Sequence, residues 1–431
     1  MIINGREIRK VHFTGIGGIG MSALAQLMLD HGVQVTGSDR EESPITVLLD
    51  SKGVRVLIPQ KSENIPEGTE LLVYSDAVPE GNPERQFAID NSIEQFSYFQ
   101  ALGKISEGKR TIAVAGTHGK TTTSGMVARI LKDAGLSPSG VIGSIVKDFG
   151  SNYLSGKSDL FVVEACEYQR HFLNLSPEIL VVTNLEYDHT DYFRDLTDVQ
   201  DAFRTLMERV PENGFIVTDV QNPNIAPLLL NVSAQVIDYR LEPEYSLRLP
   251  GEFNIMNARA AAAAARAVLP IIPTDTVIFS LSDFHGTWRR FEYKGTSVGG
   301  ANIYDDYAHH PTAIVATLAE LRKKTVGKVF VAFHPHLYSR TRDLFDGFAS
   351  AFHDADHVLI APIYAAREQN DEIISSTLLA ERIMTNGTEA VALGTFEEIE
   401  ESLAVAGPDD SIITMGAGDI YKVADALIAR D

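Results

Sequence analysis

Twice in this chain a short apolar run leads directly into a glycine-rich turn and then into a helical pattern. That order is the opening unit of a parallel α/β layer, and it leaves few other folds open. The first instance is HFTGIGGIGMSALA, residues 12–25, and the second is VAGTHGKTTT, residues 114–123. Around them the apolar runs predict strands at 11–14, 33–36 and 71–74, then at 111–115, 160–163 and 179–183. A third block repeats the alternation, with strands at 302–304, 329–333, 358–360 and 412–415. Helices are expected at 21–31, 312–323, 341–352 and 420–428, and one more carries Met126, Val127, Ile130, Leu131 and Ala134 on one face. The chain therefore reads as α/β with three domains, at 1–108, 109–293 and 294–431.

Composition narrows the function. With 37 Lys+Arg against 58 Asp+Glu, the formal charge is −21, which argues against a nonspecific binder of nucleic acid or anionic membranes. The single cysteine, Cys166, permits no intrachain disulfide and no cysteine-based zinc site, and it fits a reducing compartment. The first residues lack the apolar core of a signal peptide, and no run reaches the roughly 18 apolar residues of a membrane helix. A cytoplasmic location without membrane insertion is the expectation.

The turn at 115–123 has the parts of a phosphate loop. Gly116 and Gly119 let backbone N–H groups converge on phosphate oxygens, Lys120 brings positive charge, and Thr121 or Thr122 brings a hydroxyl for Mg²⁺. It is shorter than the usual loop, because Val114 stands where an earlier glycine is expected. Gly15, Gly17, Gly18 and Gly20 suit close approach to a diphosphate at a helix start, and Asp39 follows at the end of the next strand. Alone, that loop would fit a nicotinamide enzyme. Two nucleotide loops in one chain instead make one nucleotide the fuel and the other part of the substrate.

Acidic segments end two further strands: Glu164 in VVEACE, and Asp188, His189 and Asp191 in TNLEYDHTD. A carboxylate and an imidazole at strand carboxyl ends suit a divalent cation that offsets phosphate charge. Basic residues come later: Arg289 and Arg290 in GTWRRFE, and His334, His336, Arg340 and Arg342 in HPHLYSRTRDLF. Guanidinium forks match phosphate and carboxylate oxygens.

In sequence order, HFTGIGGIGMSALA, YSDAVPEGNPE, VAGTHGKTTT, VTNLEYDHTDYF, FNIMNA, GTWRRFE, YDDYAHHP, FHPHLYSRTRD and GAGD closely resemble the Mur ligase family along nearly the whole chain. The resemblance implies a Rossmann-like N-terminal domain for a UDP-sugar, a central P-loop-type ATPase domain, and a Rossmann-like C-terminal domain for ATP and an amino acid. It is greatest to the alanine-adding branch, which implies ATP with Mg²⁺, UDP-N-acetylmuramate and L-alanine, joined through an acyl phosphate. By the same resemblance, Gly15, Gly17, Gly18, Gly20, Ser22, Asp39 and Ser75 meet the UDP-sugar. Gly116, Thr117, Gly119, Lys120, Thr121, Thr122, Asn257, Arg290 and Asp306 meet ATP; Thr121, Glu164 and His189 hold the metal; His310 and Arg340 meet alanine. Lys120, Glu164 and His189 form the catalytic set.

Three positions depart from the pattern: Phe253 for a frequent histidine, Leu337 for an arginine, and Cys166 for an acid. They keep a nucleotide-binding protein with degenerate catalysis as an alternative. A ligase that adds a murein tripeptide to the same nucleotide sugar is the other.

Overall fold

A computed structural model describes residues 1–366, 368–369 and 373–428; the last three positions of the third expected domain lie outside the described residues. Among the described residues the structure holds three larger sheets, built mainly of parallel strands with helical crossovers, two of them with an antiparallel pair at one edge. They fall into two compact units, Met1–Leu185 with Val199–Leu247 and Met256–His285, and Glu186–Asp198 with Arg248–Ile255 and Gly286–Asp431.

The first unit contains two sheets. One has five strands in the order Arg55–Leu57, Gln34–Ser38, Lys10–Thr14, Leu71–Tyr74, Glu94–Ser97, all parallel. The order reverses at Lys10–Thr14, so the first glycine loop leaves the sheet at a switch point, where ligands of such sheets gather. The other has seven strands, Ser151–Leu154, Ser139–Val146, Leu160–Glu164, Arg110–Ala115, Ile179–Val182, Phe215–Thr218 and Gln235–Asp238. Only its edge hairpin, Ser139–Val146 with Ser151–Leu154, is antiparallel. Leu160–Glu164, Arg110–Ala115 and Ile179–Val182 lie side by side, so their carboxyl ends present Glu164, the second glycine loop and Thr183 together.

In the second unit the sheet runs Glu292–Thr296, Asn302–Asp306, Ser411–Met415, Val329–Phe333, His357–Ile360, Glu389–Ala392. Strand alternation divides its core: Val329, Val331 and Phe333 pack into one cluster, Phe330 and Ala332 into another. Both faces are covered, which explains the unbroken apolar run that the sequence shows here.

The helix expected at 341–352 is two short helices, Tyr338–Asp343 and Phe345–Ser350. Leu344, at φ −109° and ψ 22°, breaks the turn while the apolar spacing carries on across it. No described helix is long and apolar enough to cross a membrane.

Candidate active site

The second glycine loop leaves Arg110–Ala115 and enters the helix Lys120–Asp133. Gly119, at φ +81°, forms the helix N-cap without a capping side chain. First-turn N–H groups have no acceptor inside a helix, so this start suits an anion. Thr183 and Asn184 at the end of the neighbouring strand brace the loop. The Thr183 hydroxyl and the Asn184 amide donate to the His118 carbonyl at 2.5 and 3.1 Å, and the His118 N–H donates to Asn184 Oδ1 at 2.8 Å.

Lys120 Nζ folds back over this loop and donates to the Gly116 carbonyl at 2.6 Å and to Glu167 Oε1 at 3.0 Å. Its side chain is 14% exposed and that of Glu167 only 5%. Burial disfavours the ammonium, but Glu167, helped by Glu164, outweighs it and raises the lysine above its ordinary pKa. Lys120 is therefore a fixed cation at neutral pH. Burial, reinforced by Glu167, pushes the Cys166 thiol up to about 12, so this lone cysteine stays protonated and is a poor nucleophile.

Glu164 Oε2 accepts the Gly143 N–H at 2.9 Å, and a Cβ at Gly143 would stand 2.3 Å from that oxygen. The carboxylate is thus seated in a cradle only glycine leaves open. Thr121 and Thr122 are buried in the first helical turn. Asn257 Oδ1 accepts the Thr123 hydroxyl at 3.2 Å and lies against Gly119.

At the first glycine loop, Asp39 Oδ2 accepts the Gly17 N–H at 2.7 Å, so this acid holds the loop backbone itself. Gly15, at φ +82°, packs against Ser75, and a Cβ at Gly20 would stand 2.5 Å from the Tyr98 ring. Gly18 is the extended N-cap of helix Ile19–Asp30. Ser22 lies inside that helix, 1% exposed, with its hydroxyl on the Ile19 carbonyl. Its hydroxyl also accepts from Asn152 Nδ2 at 2.9 Å, so the side chain braces the start of the helix.

The second unit holds the remaining expected residues. Arg340 is 2% exposed; its Nε donates to Asp188 Oδ1 at 2.7 Å and its Nη1 is 3.1 Å from His336 Nδ1. Its helix starts after Leu337, which is buried at φ 71° and ψ 135°, a conformation costly for a residue with a side chain. His310 Nδ1 accepts the Thr312 N–H at 3.4 Å, which puts the proton on Nε2, 3.3 Å from the Tyr187 carbonyl. His189, at φ 53°, has its N–H on Asp188 Oδ1. Asp306 accepts from the Phe291 and Ala308 N–H groups; burial raises it to about 6, against the pull of Arg290. The Arg290 guanidinium lies 4.8 Å from the Tyr307 ring centre. Arg289, by contrast, is buried on Asp305 and the Gly416 and Gly418 carbonyls, and serves the fold.

Three family models match the chain: "Mur ligase family, catalytic domain" over residues 10–110, "Mur ligase middle domain" over 114–246, and "Mur ligase, glutamate ligase domain" over 289–418. A UDP-N-acetylmuramate–L-alanine ligase of Clostridium novyi is 38% identical over 449 residues, covering 97% of each chain. The chain belongs to the Mur ligase family.

Among solved structures, the UDP-N-acetylmuramate–alanine ligase of Thermotoga maritima is 26% identical, with a TM-score of 0.79 over 97% of this chain and 98% of that one. A murein peptide ligase of Psychrobacter arcticus is 25% identical, with a TM-score of 0.74 and the same coverage. In this family member the structure also reveals residues that motif reading passed over. Glu167 pairs with Lys120, Thr183 and Asn184 brace the loop, and Asp188 pairs with Arg340. All lie in segments the sequence singles out, Glu167 in VVEACE and the other three in TNLEYDHTD, but only Asp188 is named there as a candidate acid.

The loop geometry gives a direct expectation for Gly119→Ala. The new Cβ meets Asn257 Oδ1 at 2.3 Å at a left-handed φ of +81°. Left-handed backbone alone costs about 1–2 kcal/mol per residue with a Cβ. Thermal unfolding should show that loss, and titration should show weakened binding of a non-hydrolysable ATP analogue. Parent-like behaviour in both would mean the loop does not need this conformation.

Proposed function

We propose that this chain joins L-alanine to the lactyl carboxylate of UDP-N-acetylmuramate, using ATP and passing through an acyl phosphate, as an early step of peptidoglycan precursor synthesis. The observation that carries the reading is the buried Lys120–Glu167 pair on an uncapped glycine loop, in the same compact unit as a second glycine loop at a sheet switch point. One loop suits the fuel and the other the diphosphate of a nucleotide sugar. We assign domains at 1–108, 109–293 and 294–431, supported by the spacing of the three family segments.

A carboxylate is a poor electrophile until one oxygen becomes a phosphate leaving group. Lys120 is held where its charge offsets that of the transferring phosphoryl group, and its tie to the Gly116 carbonyl keeps the ammonium aimed over the loop. Thr121 and Glu164 are hard oxygen donors suited to Mg²⁺, which when bound neutralises phosphate charge. Asp39 and Ser75 shape the first loop for the UDP diphosphate. For the second unit, the family pattern supports Arg290 and Asp306 as ATP residues, His189 as a metal residue, and His310 and Arg340 as residues for alanine. The absence of a described membrane-spanning helix is compatible with a cytoplasmic enzyme.

Phosphate release from ATP and Mg²⁺ tests the reading. It should require both UDP-N-acetylmuramate and L-alanine. The likeness to a murein peptide ligase gives the second reading its basis. Release with the tripeptide L-alanyl-γ-D-glutamyl-meso-diaminopimelate but not with alanine would select it. Silence with both amines, with ATP still bound, would overturn catalysis altogether.

A further inference from the structure

Helix Ile19–Asp30, which begins at the first glycine loop, is joined to the edge hairpin of the seven-stranded sheet by a buried polar knot. At its centre is Asn152, with no exposed surface. Asn152 Nδ2 donates to the Ile19 carbonyl and to Ser22 Oγ, the latter at 2.9 Å, and Asn152 Oδ1 accepts from Gln26 Nε2 at 3.1 Å. Gln26 Oε1 accepts in turn from Ser151 Oγ at 3.0 Å and from Lys52 Nζ at 2.5 Å. Both ends of both amides are used.

The hairpin has a second attachment. Its inner strand, Ser139–Val146, pairs with the strand of Asn152 and carries Gly143, whose N–H holds Glu164. A continuous path of hydrogen bonds and one strand pair therefore runs from the first turn of the loop helix, through Asn152, to the carboxylate proposed for the metal. Apolar packing could join these elements too, but it would let them slide. Four directional bonds, three of them between buried groups, fix one register, because any shift strands a buried donor or acceptor.

We infer that Asn152 is a positioning residue for this enzyme: it sets the helix of the UDP-sugar loop against the strand that seats Glu164. The inference rests on the ligase reading above. Transfer between two bound substrates needs reacting atoms at about 3–3.5 Å, and a 1 Å misplacement can cost on the order of 100-fold. Loosening the knot therefore slows the joint reaction while each substrate still finds its own loop.

The test is Asn152→Ala, with kcat at saturating substrates beside separate calorimetric titrations of UDP-N-acetylmuramate and a non-hydrolysable ATP analogue. We expect kcat to fall by about 30- to 100-fold, with each dissociation constant within about threefold of the parent. A kcat within about twofold of the parent in folded protein, or dissociation constants that rise in step with the loss of kcat, would overturn the inference. If Asn152→Ala does not fold, Ser151→Ala removes one bond of the knot. A severalfold fall in kcat at unchanged affinities is then expected, and an unchanged kcat overturns the proposal. An inactive parent would instead sink the ligase reading, so the two failures are distinguishable.

Discussion

Lys120→Ala is expected to lower ATP-dependent phosphate release by roughly 10³-fold, the scale of removing one preorganised charge from a transferring group. The same substitution should also destabilise the protein, because Glu167 is buried and loses its counter-ion. Breaking a buried pair from one side costs about 3–5 kcal/mol, whereas replacing both partners by groups of similar shape is often neutral. The two effects can therefore be separated. Lys120→Met with Glu167→Gln should recover most of the melting temperature and none of the activity. If the double variant regained turnover, Lys120 would be a structural cation and the site would have to be sought elsewhere. The sign with pH follows from the lysine's raised pKa. Its contribution is fully present below the unfolded value of about 10.5 and is lost only as pH climbs through the higher folded value. Activity loss on the acid side thus cannot come from Lys120.

The glycine loops were legible in the sequence because their requirement is local. Gly119 and Gly15 sit at positive φ, and only glycine does so without cost, so the residue type itself reports the backbone. The alternation of strand and helix was legible for the same reason. What escaped notice was every partner supplied from far along the chain. Asn152 meets Ser22 across 130 positions, and Arg340 meets Asp188 across 152. No periodicity encodes such pairs. Glu167 was missed although it stands three residues after Glu164. The chain there leaves the strand for an irregular turn in which Gln169 and Arg170 take left-handed conformations, so alternation no longer says where a side chain points. Ser22 shows how local geometry adds to a motif. It follows the motif, and one helical turn draws its hydroxyl inward to Ile19.

Asp188 and Arg340 give the second large expected effect. Both are buried, at 5% and 2% exposure, and burial alone would favour a neutral Asp188. The adjacent guanidinium overrides it and holds the carboxyl well below its usual range. His309 is driven the other way, by burial first and by Arg340 second, and stays neutral. The guanidinium is therefore the one fixed positive charge among these groups, and Asp188 is the anion that orients it. Asp188→Ala should cost about 3–5 kcal/mol by leaving that cation buried and unpaired, visible as a clear fall in the unfolding midpoint. Asp188→Asn keeps the shape but weakens the charge-assisted bond. It should raise KM for L-alanine about tenfold, or roughly 1.4 kcal/mol, while KM for UDP-N-acetylmuramate stays put. Arg340→Lys should be worse for alanine than Asp188→Asn, because an ammonium cannot hold Asp188 and a second carboxylate with the geometry of a planar fork. If Arg340→Lys left KM for alanine unchanged, the arginine would be a fold residue like Arg289, and the alanine carboxylate would have to find another cation.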